Sequence, residues 1–124
     1  VIVHIKEGEM IKQTYMEELQ RLQRQFLVHS YLYYVINDSV IADSRYDRIC
    51  KDMVAMMKKK EAKQSRYYDL CIECGASGSG FYIENYPPEI VTTSLRHLYH
   101  HRKPPEDFGE YIKRFGFRII GREV

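Results

Sequence analysis

Two amphipathic runs separated by a short polar break constrain the fold of this chain more than any other feature of its sequence. From about Glu9 to Ile36, apolar residues recur at spacings of three, four and seven, the period that keeps side chains on one face of an α-helix. They are Ile11, Tyr15, Leu19, Leu22, Phe26 and Tyr33. The second run extends from Asp43 to about Lys60. The sequence therefore predicts a helical hairpin over residues 9–63.

The break and the second run carry their own boundary signals. Asn37, Asp38 and Ser39 have short polar side chains that favour a turn. Asp43 or Ser44 is a suitable N-cap for the second helix. Its expected inner face consists of Tyr46, Ile49, Cys50, Met53 and Met57. The connection of about six residues is long enough for the two helices to pack antiparallel.

The residues after Gln64 have a different pattern. Alternation from Arg66 to Cys74 is typical of a strand, and the Gly- and Ser-rich residues 75–80 indicate a turn. A return strand is expected at 81–84, with Phe81 and Ile83 pointing inward. The prolines at 87 and 88 predict the start of a helix to about Arg102, and a last short strand is expected at 117–120. We therefore predict an α+β fold in a single domain, residues 1–124, in which residues 64–124 form a β-hairpin packed with one or two C-terminal helices.

Composition excludes several classes of protein. The formal net charge is only +2, so we expect no direct nucleic-acid binding. There is no apolar run long enough to cross a membrane and no signal-peptide pattern. Three cysteines, an odd number, do not indicate a disulfide scaffold, and a reducing cytoplasm is the expected location.

A zinc site is the main alternative use of the cysteines. Cys71 and Cys74 form a C-x2-C pair, and His97, His100 and His101 follow. The gap before the first histidine is longer than in common zinc fingers. On a strand, the two thiols would also point to opposite faces. We therefore expect no metal.

The strongest candidate site lies where the two predicted helices meet. Tyr33 and Tyr34 end the first helix, while Asp43, Tyr46 and Asp47 share one face of the first turn of the second. Aromatic faces and carboxylates together suit a flat, cationic, hydroxyl-rich ligand. The alternative is that the tyrosines pack between the helices and that the aspartates cap or match a helix dipole.

Residues 33–49, read as YYVINDSVIADSRYDRI, resemble the N-terminal Ia segment of bacterial NAD-dependent DNA ligases. That family carries a signature of the type Y-[YH]-V-x-D-x-P-x-[IV]-x-D-[AS]-E-Y-D-x-L, and the resemblance extends over about residues 19–60. It implies that Tyr33 and Tyr46 sandwich the nicotinamide ring of nicotinamide mononucleotide (NMN) or NAD. It also implies that Tyr34 reaches the ribose or phosphate, and that Asp43 and Asp47 bind ribose hydroxyls or the carboxamide.

The departures from the family limit what the resemblance implies. Asn37, Ser39 and Arg45 stand where Asp, Pro and Glu are usual. The K-x-D-G motif, whose lysine takes the AMP in the family, does not occur. Ligation by this chain alone is therefore not expected.

We expect a stand-alone, ligase-related small protein that is not an enzyme and that binds NMN or NAD, or descends from such a binder. One alternative is a phage or mobile-element inhibitor or adaptor, such as an anti-CRISPR, that docks on a host nucleic-acid enzyme: a ligase, a CRISPR nuclease or a restriction nuclease. Another is an NAD hydrolase that uses Asp43 or Asp47.

Overall fold

The computed structural model describes residues 2–6 and 9–120, with side chains described from residue 13. Two short antiparallel strands, β1 (Ile2–Lys6) and β2 (Glu9–Lys12), come first along the chain. From residue 13 to residue 120 all regular structure is helical. The predicted α+β fold with a β-hairpin at residues 66–84 is therefore wrong, and the body of the molecule is a helical assembly.

Helix α1 (Tyr15–Tyr31) begins at a capping box. The N–H of Glu17 donates to Thr14 Oγ1 at 3.1 Å, and the N–H of Thr14 donates to Glu17 Oε1 at 2.9 Å. The predicted start near Glu9 is too early, because residues 9–12 form β2. The predicted inner face is confirmed at three positions that are buried: Leu19, Leu22 and Phe26.

A π-helical turn, Leu32–Ile36, follows α1 without a break. It ends at Asn37, which has a left-handed backbone (φ 62°) and whose N–H bonds to the carbonyl of Leu32. Asn tolerates this conformation better than most residues do. The predicted polar break is confirmed here.

Helix α2 (Asp43–Met56) packs antiparallel against α1. The Tyr15 hydroxyl at the start of α1 donates to the Met56 carbonyl at the end of α2, at 2.5 Å. At the opposite end, Ser30 Oγ lies 2.7 Å from the Tyr46 hydroxyl. The helical hairpin is thereby confirmed, and all five predicted inner-face residues of the second helix are buried.

The segment predicted as a β-hairpin forms short helices. A 3-10 turn (Lys60–Gln64) is followed by α3 (Tyr68–Cys71) and α4 (Cys74–Ser77). Between residues 66 and 77 the buried side chains are those of Tyr67, Cys71 and Cys74, at spacings of four and three, so the burial period is helical. Phe81, predicted to point inward, is 75% exposed.

Helix α5 (Pro88–Arg102) starts and ends as predicted from the two prolines. It packs on α1, where the Ser94 hydroxyl is 3.5 Å from the Val28 carbonyl. Helix α6 (Phe108–Ile112) and a 3-10 turn (Lys113–Phe115) complete the fold.

The C-terminal strand expected at 117–120 is absent, since these residues have no strand pairing. Among the residues that the structure describes, no helix has the length and apolar character needed to cross a membrane.

Candidate functional site

The structure brings the three tyrosines of the predicted site together. Tyr33 and Tyr34 lie on the π-helical turn, and Tyr46 lies in the first part of α2. The ring centroids of Tyr33 and Tyr46 are 6.2 Å apart, with the ring planes inclined by 31°. The rings of Tyr33 and Tyr34 are 4.8 Å apart. A π-helical turn is a frequent feature of functional sites, and here it carries both tyrosines to the start of α2.

Tyr46 is fixed in the core. Its side chain is almost fully buried, and its ring stacks on that of Phe26 at 6.4 Å. Its hydroxyl lies 2.7 Å from Ser30 Oγ and accepts a hydrogen bond from the N–H of Gly80 at 3.0 Å. Burial raises the pKa of Tyr46 far above its ordinary value, so the phenol stays neutral. Tyr46 therefore packs between the two helices, as the alternative interpretation of the sequence expected.

Tyr33, in contrast, is 38% exposed. A third aromatic ring placed between two others needs centroids about 7 Å apart, since carbon atoms in contact are separated by about 3.5 Å. The observed 6.2 Å between Tyr33 and Tyr46 is less than 1 Å short of that separation. A ring placed between Tyr33 and Tyr46 would therefore require the exposed Tyr33 ring to move outward, since Tyr46 is fixed in the core.

Phe81 extends the aromatic surface beyond the predicted site. Its ring meets that of Tyr34 edge to face at 5.4 Å. We call the rings of Tyr33, Tyr34 and Phe81 the aromatic cluster. Sequence analysis missed Phe81 because the predicted β-hairpin placed its side chain on the inner face. The local signal for its exposure is its position directly after the Gly- and Ser-rich residues 75–80.

The two carboxylates of the predicted site are exposed on α2. Asp43 is the first residue of the helix rather than its N-cap, which is Ala42. Asp47 lies one turn later and pairs with Lys51 at 3.0 Å, with both side chains largely in solvent. Such an exposed pair contributes little energy, so it leaves Asp47 available to another partner.

Arg45, where the resemblance leads us to expect Glu, lines a separate cleft with His29 and Val40. None of the five candidate residues lines that cleft.

Two of the three cysteines form a buried thiol pair. Cys50 and Cys74 are buried and hydrogen-bonded to each other, which lowers the pKa of Cys50 and raises that of Cys74. Burial raises the pKa of Cys71 to about 12. Within the described residues, no group of three or more His, Cys, Asp or Glu is placed to hold a metal ion.

Comparison with known proteins shows what the helical hairpin is similar to. Residues 12–64 match the family described as DNA ligase-like, N-terminal NAD+-binding domain. The resemblance expected over about residues 19–60 is thereby confirmed, and the match contains all five candidate residues.

Individual relatives match the same part of the chain. The DNA ligases of Thermosipho africanus and Thermotoga neapolitana are each 38% identical to it, over 50 and 52 residues, which are 40% of this chain and 8% of each ligase. The DNA ligase of Thermotoga maritima is 39% identical over 46 residues, which are 37% of this chain and 7% of the ligase. The chain thus spans less than a tenth of the length of these relatives. No solved structure matches it.

Proposed function

We propose that the segment from 12 to 64 is a binding module for a nicotinamide nucleotide, NMN or NAD, and that the nicotinamide ring enters between Tyr33 and Tyr46. One observation carries this proposal: the centroids of the two rings lie 6.2 Å apart, with the ring planes inclined by 31°, at the end of the helical hairpin. The match of residues 12–64 to a family described as NAD+-binding supports the same ligand class.

The two rings have different parts in the proposed site. Tyr46, held by Ser30 and Gly80, is the fixed wall, and Tyr33 is the wall that moves. A nicotinamide ring carries a positive charge in NMN and NAD+, so it gains cation–π attraction as well as stacking from the two phenols.

The polar groups of the nucleotide need hydrogen-bond partners around the two tyrosine rings. Asp43 and Asp47 lie on one face of α2 and supply acceptors for the ribose hydroxyls or the carboxamide N–H groups. Tyr34, next to Tyr33, supplies a hydroxyl toward the ribose or phosphate. These roles are the ones that the resemblance implies for the three residues.

We also propose that the module binds without catalysing a reaction. The sequence has no K-x-D-G, so no lysine of that motif is present to take an AMP group. The carboxylates of Asp43 and Asp47 are exposed to solvent rather than held in a water-excluding pocket. The alternative of a phage inhibitor or adaptor gains no support, since the relatives that match are DNA ligases.

Titration of NMN and NAD, followed by NMR and calorimetry, tests the proposal. We expect affinity of about micromolar or weaker, because one stacked ring and a few exposed hydrogen bonds offset little of the cost of immobilising the ligand. The resonances of Tyr33, Tyr34 and Tyr46 should shift together. Free nicotinamide should not accumulate when the protein is incubated with NAD.

Matched variants make the test specific. Tyr33→Ala should weaken NMN binding about tenfold, whereas Tyr33→Phe, which keeps the stacking face, should bind almost as well as the native chain. Asp43→Asn should weaken binding, while Asp52→Asn, an exposed change later on α2, should not. No shift at about 10 mM NMN, or unchanged binding by Tyr33→Ala, would contradict the proposal.

A further inference from the structure

A cleft with a volume of about 480 Å³ lies between α1, the loop before α2, and α5. Its charged and titratable lining consists only of basic residues and histidines: Arg21, Arg24, Arg45, His29, His97 and His101. We call it the basic cleft. No Asp or Glu lines it, and its volume is within the range of small-molecule sites. It combines residues of the 12–64 segment with residues of α5, which lies outside that segment.

The positive charges in the basic cleft are only partly neutralised by the protein. Arg21 pairs with Glu18 at 2.5 Å. Across the described part of the chain, by contrast, no ion pair or side-chain hydrogen bond involves Arg24 or Arg45. Two guanidinium groups at one cleft without an anionic partner are the arrangement that phosphate recognition uses.

Two histidines of the basic cleft, His29 and His97, have lowered pKa values. The ring of His29 is half-buried and meets that of His97 edge to face at 5.4 Å. Burial, together with the neighbouring His97 and Arg45, lowers the pKa of His29 to about 4. The pKa of His97 is lowered by burial and by the adjacent His101 and His100. A bound anion would oppose the repulsion from the neighbouring basic groups and so favour protonation of the two imidazoles.

The basic cleft also has an apolar wall. Val28, Val40 and Ile41 line it beside the arginines. A ligand with a charged end and a less polar body would contact both parts. An extended polyanion is a poorer match, since the whole chain carries a net charge of only +2.

We propose that the basic cleft binds the phosphoryl group of a small phosphorylated molecule of nucleotide size, with Arg24 and Arg45 holding the phosphate and the apolar wall contacting the remainder. This proposal is independent of the nicotinamide proposal, because none of the residues of that candidate site lines the cleft. Arg45 occupies α2 between Asp43 and Tyr46, so the two ligands would contact different sides of the same helix turn.

The test uses inorganic phosphate, pyrophosphate and AMP as probes, with adenosine as the unphosphorylated control. Titrations are followed through the ring resonances of His29 and His97. We expect AMP to shift both rings and to raise the pH midpoint of His29, and adenosine to have no effect. Arg45→Gln and Arg24→Gln should each weaken AMP binding about tenfold. Arg48→Gln, which removes an exposed arginine of α2 that does not line the cleft, should leave it unchanged.

Several results would overturn the proposal. The proposal is wrong if no phosphorylated probe shifts the His29 and His97 ring resonances at about 10 mM. It is also wrong if Arg24→Gln and Arg45→Gln bind AMP as tightly as the native chain does. If inorganic phosphate binds as tightly as AMP, the ligand is not of nucleotide size. If only single-stranded DNA binds, and Arg45→Gln weakens it, the surface recognises nucleic acid instead. The Tyr33→Ala variant separates the two sites, since it should impair NMN binding between Tyr33 and Tyr46 and leave AMP binding in the cleft intact.

Discussion

Replacing Gly80 with alanine tests how firmly the second half of the chain holds Tyr46. Gly80 is buried and does not have the positive φ that would demand glycine for its backbone. What requires glycine is space: an added Cβ would lie 2.3 Å from Ser30 Oγ, 2.8 Å from Ser30 Cβ and 3.1 Å from Phe26 Cζ. The first two separations are too short for any real contact, and Ser30 Cβ is fixed to the backbone of α1.

The magnitude follows from two contributions. Overpacking of this kind costs about 1–3 kcal/mol. If the loop moves to relieve the clash, the hydrogen bond from the Gly80 N–H to the Tyr46 hydroxyl at 3.0 Å breaks as well, and losing it inside the protein costs about 1–3 kcal/mol. We therefore expect Gly80→Ala to lower the free energy of unfolding by about 2–6 kcal/mol, a large part of the stability of a domain of this size.

Urea unfolding of the native chain and of two glycine variants measures the effect. Gly75→Ala is the matched control, because its Cβ would meet only Val54 Cγ1, at an ordinary 3.8 Å. Gly75 lies within α4, so the control should be neutral or more stable by up to about 1 kcal/mol. If Gly80→Ala unfolds at the same urea concentration as the native chain, with the Tyr46 ring resonances unchanged, then Gly80 does not pack closely against Ser30 or bond to Tyr46.

Three further predictions concern the same residues and their surroundings. Tyr46→Phe should lower the free energy of unfolding by about 1–3 kcal/mol, measured by urea unfolding, because the buried N–H of Gly80 and hydroxyl of Ser30 lose their partner. Because the pKa of His29 is lowered to about 4 in the folded protein, the unfolded chain binds more protons at acid pH. The free energy of unfolding should therefore be constant above about pH 6.5 and fall by about 1–2 kcal/mol towards pH 4, a figure that allows for the partial exposure of the ring. Urea unfolding across this pH range measures the change. Arg45→Gln should raise the pKa of His29, measured by NMR titration, and a pKa that stayed at about 4 would show that Arg45 has no influence on it.

The helices that sequence alone predicted are those with strong local signals. The spacing of Leu19, Leu22 and Phe26 marks the inner face of α1, and the prolines at 87 and 88 mark the start of α5. Both signals depend on residues close together in the chain, so no tertiary information was needed.

The segment from Arg66 to Cys74 was predicted wrongly because two periods fit it. Tyr68, Leu70, Ile72 and Cys74 alternate as on a strand, yet Tyr67, Cys71 and Cys74 also recur at helical spacing. The structure buries the second set and leaves Ile72 41% exposed. A short segment cannot settle this choice by itself; packing against α2 does.

The sequence predicted that the tyrosines of the candidate site lie close together, but not which contacts hold them in place. The motif placed Tyr33 and Tyr46 at neighbouring helix ends, and the structure brings their rings together. That Gly80 would fix Tyr46, and that His97 would reach His29, depend on contacts between residues 34 and 68 positions apart, which no local pattern records.

The bond between the Gly80 N–H and the Tyr46 hydroxyl has a consequence for how this domain can be divided. The donor lies sixteen residues beyond Gln64, where the ligase-like match ends, while the acceptor is a residue of the motif itself. A polypeptide that ends at position 64 would keep residues 33–49 but lose the hydrogen bond from the Gly80 N–H to the Tyr46 hydroxyl. Any transplant of this module should therefore carry the chain at least through Gly80.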